Sequence, residues 1–83
     1  MDNTEQLKIA VQAALDGDWE KSHKIAQDYS DDTACWIHAV LHKIEGDEFN
    51  SNYWYAKTNG KKFADFYDAV DELKVILKYL TKT

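Results

Sequence analysis

The stretch LDGDWEKSHKIAQDY, residues 15 to 29, laid over IEGDEFNSNYWYAKT, residues 44 to 58, pairs Gly17 with Gly46, Asp18 with Asp47 and Ser22 with Ser51 at a constant offset of 29 residues. In each copy a Gly fit to end one helix is followed at once by an Asp fit to cap the next. Each half therefore reads as helix, Gly-Asp corner, helix. Stacking is implied as well, because a lone hairpin cannot bury its own apolar face.

Working outward, helical spacing fills the segments on either side of the corners. From about Asn3 to Asp16, Leu7, Ala10, Val11 and Ala14 recur at steps of three and four, with Asn3 or Thr4 as the cap. From Asp18 to about Tyr29, Trp19, Ser22, Ala26 and Tyr29 form one stripe. A third helix, about Asp32 to Glu45, carries Ile37, Val40, Leu41 and Ile44 on one face, and a fourth runs from Asp47 to Asn59-Gly60. The last, about Lys62 to Leu80, has Phe63, Phe66, Tyr67, Val70, Leu73, Leu77 and Leu80 in register to seal the core, with Ile76 and Tyr79 left for contacts beyond that stripe. No segment alternates with the period of a strand. The expectation is one all-α domain over residues 1–83: a small bundle of about five helices, made of two hairpins and a C-terminal capping helix.

The turn and second helix, Gly-Asp-Trp-Glu-Lys-Ser at 17 to 22 and Tyr-Trp-Tyr-Ala-Lys at 53 to 57, resemble the tetratricopeptide and Sel1-like repeats over about residues 5 to 59. The closing Pro of those repeats is absent, and the spacing is shorter than their ~34 residues. The resemblance implies tetratricopeptide-like hairpins and a surface that holds a protein or peptide. The stretch WIHAVLHKIEGDEFNSNYWYAKTNG, residues 36 to 60, also resembles a signature of small uncharacterised bacterial proteins. That likeness implies no activity, only that His38, His42, Glu45, Asn50, Tyr53, Trp54 and Tyr55 are candidates for whatever such proteins share.

Composition narrows the partners. The 83 residues carry a net charge of -5, and all ten basic residues are Lys. Without Arg, the usual bidentate reader of phosphate and guanine, and with an acidic balance, neither nucleic acid nor an anionic membrane is an expected partner. The N-terminal segment has no basic start followed by an apolar run, and no stretch approaches the ~20 apolar residues of a membrane span, so a cytoplasmic location is expected. Cys35 stands alone, which excludes an internal disulfide and a Cys-x-x-Cys pair.

Two groups of residues invite chemistry. At about 100° per residue, Cys35, His38, His42 and Glu45 share the face of the third helix opposite its apolar stripe. Histidines at i and i+4 can share a metal. His-Ala-Val-Leu-His lacks the Glu of helical zinc proteases, however, and no second helix offers an evident pair of further ligands, although His23 is placed to approach. No metal and no cofactor are therefore expected. On the fourth helix Phe49, Tyr53, Trp54 and Tyr55 point in several directions, so one face cannot bury them all. A groove lined by His38, His42, Glu45, Asn50, Tyr53 and Tyr55 would combine aromatic walls with a few polar groups, the make-up of a small-ligand site. Ser22 and Ser51 read as small residues at close helix contacts, and Cys35 beside His38 lacks oxyanion donors, so no catalytic residue is assigned and the balance, left open, leans against an enzyme. The leading expectation is an interaction module for a protein or peptide, or for a second copy of itself. The alternative is a small-ligand or metal-binding protein, an enzyme being one form of it, using the groove lined by His, Tyr and Asn.

Overall fold

The computed structural model describes residues 3–81. They form α1 (Thr4–Leu15), α2 (Trp19–Ala26), α3 (Asp32–Ile44), α4 (Glu48–Tyr55), a short 3-10 turn at Phe63–Asp65 and α5 (Ala69–Thr81), with no strand among the described residues. None of these helices is long and apolar enough to cross a membrane.

The corners have one chemistry used twice. Gly17 at φ +87° and Gly46 at φ +82° take the left-handed conformation that a side chain disfavours. Beyond them the Asp18 N–H donates to the Ala13 carbonyl at 2.8 Å and the Asp47 N–H to the His42 carbonyl at 2.9 Å, closing both helices as Schellman turns. Each Asp then caps the next helix: Asp18 accepts from the Lys21 N–H at 3.2 Å, and Asp47 from the Asn50 N–H at 3.1 Å. Helix ends obey the same offset, Leu15 matching Ile44 and Trp19–Ala26 matching Glu48–Tyr55. Ser22 and Ser51 are both fully buried where the second helix of each hairpin meets the first, and the Ser51 hydroxyl donates to the Ala39 carbonyl at 2.7 Å.

α1 packs on α2, α3 on α4, and α5 lies across α1 and α3. This makes α3 the central helix. Every residue from Ala34 to Leu41 is buried, so the single apolar stripe expected for it is replaced by burial all round, while Ile44 at its end is 44% exposed.

The last helix starts later than expected, at Ala69 rather than Lys62. The carbonyls of Phe63 and Phe66, which a longer helix would use for its own ladder, accept instead from the Lys43 ammonium at 2.9 and 3.1 Å. Phe66 is extended, and Asp68 opens α5 by accepting from the Val70 N–H at 2.9 Å. Tyr67 is consequently fully exposed, and the sealing face is Leu73, Ile76 and Leu80. Ile76, expected to reach outward, belongs to the protein's own core.

Glu72, an acidic residue of α5, is fully buried. Its carboxylate accepts from Lys43 Nζ at 2.7 Å, Trp36 Nε1 at 2.8 Å and the Tyr55 hydroxyl at 2.7 Å. All three protons of the Lys43 ammonium are spent on Glu72 and the two carbonyls, and the ion sits over the rings of Phe63 and Tyr55 at 4.8 and 5.1 Å. This network anchors α5 to α3 and α4.

Candidate functional site

A second polar cluster occupies the other flank of α3, where α2 and α4 approach it. On α2, Trp19 donates from Nε1 to the Leu41 carbonyl at 2.7 Å, which fixes its ring beside the end of α3. His23, one turn on, stacks on that ring at 4.8 Å between centroids and 9° between planes. On α3, His38 and His42 are one turn apart and stack at 5.1 Å. Trp54 of α4 lies flat against His38 at 3.8 Å. The three imidazoles meet: His23 stands edge-on to His38 at 4.6 Å and to His42 at 5.7 Å, and one ligating nitrogen from each lies within 4.8 Å of the others.

Burial sets their protonation. His38 is 5% exposed, and its pKa is lowered to about 4, first by desolvation and then by the neighbouring His23 and His42. His23 is lowered for the same reasons, burial first and His42 second, with Glu45 acting in the opposite sense. At neutral pH both rings are uncharged and keep a lone pair. Among the described residues neither has a hydrogen-bond partner. His42 differs: its Nδ1 pairs with Glu45 Oε1 at 2.6 Å, which leaves Nε2 for other use.

Glu45 and Asp47 form the rim with His42, their ligand atoms again within 4.8 Å of one another. Asp47 is held by Asn50, whose backbone N–H and side-chain amide both donate to it, the latter at 2.6 Å; these bonds lower the Asp47 pKa.

Of the residues singled out from the sequence, His38, His42 and Glu45 come together as expected for one helix face. Asn50 stays on its own helix with Asp47. Tyr53 is 52% exposed, its ring edge-on to Trp54 at 5.3 Å with Lys57 above it. Tyr55 faces the opposite flank, where burial and the Glu72 carboxylate push its hydroxyl pKa up. Cys35 is buried near the start of α3, its thiol donating to the Ser30 carbonyl at 3.7 Å and pushed up in pKa by burial. The partners of the two α3 histidines are therefore His23, Trp19 and Trp54 in place of Asn50, Tyr53 and Tyr55. The sequence signal for them was the Trp-x-x-x-His spacing of α2, which puts ring and imidazole on one face.

The geometry suits a small cation. Four tetrahedral nitrogen donors at 2.0–2.1 Å would place imidazole centroids about 5.2 Å apart and their nitrogens about 3.3 Å apart. The observed centroid spacings of 4.6, 5.1 and 5.7 Å bracket the first figure, and one nitrogen from each ring lies within 4.8 Å of the others. Comparison of the chain with family models, with curated proteins and with solved structures returned no match.

Proposed function

We propose that this protein binds one divalent transition-metal ion, with zinc as the reference ion, through His23, His38 and His42. The observation that carries the reading is the convergence of three imidazoles from two helices at ligand spacing, walled by Trp19 and Trp54. Imidazole is a donor for zinc, copper and nickel, and ligation needs it neutral, as burial holds His38 and His23. Glu45 on His42 Nδ1 supplies the carboxylate that commonly orients a metal-bound histidine. His23 belongs to the first hairpin and the other two to the second, so a bound ion also staples the hairpins together, a useful contribution in a domain of 83 residues.

Zinc titration of the purified chain against a chromophoric chelator tests this. One equivalent should bind, with a change in tryptophan fluorescence because Trp54 lies on His38. His38→Ala should weaken binding by at least about a hundredfold, more than loss of a group that only orients a ligand does. Zinc that does not bind stoichiometrically, or binds equally to His38→Ala, overturns the proposal.

A partner-binding role is supported by a separate feature. Phe49 is 82% exposed and lies one turn from the half-exposed Tyr53 on the outer face of α4. Exposed aromatics of this kind are enriched where proteins associate. Sedimentation of the wild-type chain and Phe49→Ser tests a second copy as the occupant: loss of a dimer in the variant supports it, and a monomeric wild type refutes it.

A further inference from the structure

We infer that a cation held by the three histidines keeps one coordination position for a small monodentate ligand from solution. The inference rests on the metal-site reading and names what that site takes. A tetrahedral ion needs four donors, and the imidazoles supply three. The nearest carboxylates, Glu45 and Asp47, group with His42 but not with His23 and His38, and both are committed. Glu45 is spent on His42 Nδ1 at 2.6 Å, which leaves Nε2 as the free nitrogen of that ring. Asp47 accepts two hydrogen bonds from Asn50 and caps α4, so drawing it onto the metal would uncap that helix. Cys35, the one thiol, is bonded to Ser30 and lies outside the donor group.

Access is one-sided. His38 is sealed by Trp54 lying flat on its ring, whereas His23 is partly exposed and the His42 side chain is 13% exposed. The fourth position therefore opens between His23 and His42, beside the edge of Trp19, whose ring centroid is 6.1 Å from that of His42. Tryptophan walls on both flanks restrict the ligand to one donor atom on a small body: water at rest, or an azide- or imidazole-sized molecule in its place. This is the arrangement of an open, exchangeable centre, as distinct from a sealed structural one.

Cobalt(II) in place of zinc makes the coordination visible. The wild-type chain with one equivalent of cobalt should show the visible absorption of a four-coordinate ion, and sodium azide should shift those bands saturably. At saturating cobalt, Asp47→Asn, which keeps a capping side chain, and Glu45→Gln, which holds the ion more weakly, should both keep azide-sensitive bands. Bands insensitive to azide and imidazole in the wild type but responsive in either variant would identify a carboxylate as the fourth ligand and overturn the inference. Insensitivity in all three proteins would overturn it too, while the metal site itself would stand. Failure of the wild type to take up cobalt or zinc would instead remove the site and the open position together.

Discussion

The two flanks of α3 carry polar clusters made from neighbouring residues, and they behave oppositely. His42 meets Trp19 of α2 and Trp54 lies on His38; Lys43 and Tyr55, the next residues along, meet Glu72 of α5. On the α5 side every strong donor finds an acceptor: Lys43, Trp36 and Tyr55 converge on Glu72, and the remaining ammonium protons go to two carbonyls. On the α2 side three imidazoles press together with only one ring nitrogen paired, that of His42. A closed network has no capacity left for a ligand and is explained by stability alone. His23 and His38, whose protonation burial disfavours, have no hydrogen-bond partner among the described residues and so keep capacity for a ligand, which is what the metal-site proposal rests on.

The sharpest way to break this contrast is to open the closed network. Glu72→Ala would strand the Lys43 ammonium in the interior and remove the acceptor of Trp36 and Tyr55 at once. Breaking a buried pair in this way costs about 3–5 kcal/mol, much of what an 83-residue domain has to lose. Urea denaturation should show that loss, and Glu72→Gln, which keeps an acceptor, should lose less. Stability unchanged in Glu72→Ala would mean that the network is not what anchors α5.

The open cluster should respond to acid. With its pKa lowered to about 4 in the fold and near the ordinary 6.5 when unfolded, His38 costs the folded state nothing above pH 6.5. Between pH 6.5 and about 4 the unfolded chain takes up a proton that the fold refuses, so stability declines as pH falls through that window and levels off below it. The expected total is about 3 kcal/mol, because a tenfold difference in proton affinity between the two states is worth about 1.4 kcal/mol. His23, lowered in the same direction, adds to the trend. Metal-free His38→Gln should have a flatter profile over that window; a profile identical to wild type would show that His38 titrates freely.

Features decided by neighbouring residues were legible in the sequence, and those decided at a distance were not. The corners at Gly17 and Gly46 are local chemistry, a left-handed Gly and a capping Asp, so both hairpins could be read directly. The start of α5 could not, because Phe63, Phe66, Tyr67 and Val70 keep helical spacing while Lys43, some twenty residues away, takes the carbonyls that would have carried the helix. Nothing adjacent to Glu72 in the sequence marks it for burial; only the meeting of Trp36, Lys43 and Tyr55 around it explains that burial. At the site, His38 and His42 follow from a spacing of four within one helix. His23 depends on how α2 packs on α3. Which of Tyr53, Trp54 and Tyr55 faces the histidines depends on the rotation of α4, and the ring that does so is Trp54.

The smallest effect separates the clusters most cleanly, because it should touch function and spare stability. Glu45 is 40% exposed, and its bond to His42 Nδ1 is an i, i+3 contact at the end of α3, the kind of partly exposed pair worth at most about 1 kcal/mol. Glu45→Gln should therefore leave the urea midpoint of the metal-free protein almost unchanged. Its effect on zinc should be larger, roughly tenfold weaker binding, because the carboxylate orients the His42 ring and leaves Nε2 as its free donor. The two measurements are informative together. Equal losses in stability and affinity would place Glu45 with Glu72 as a structural group, whereas a loss confined to affinity would assign it to the ligand-ready flank of α3.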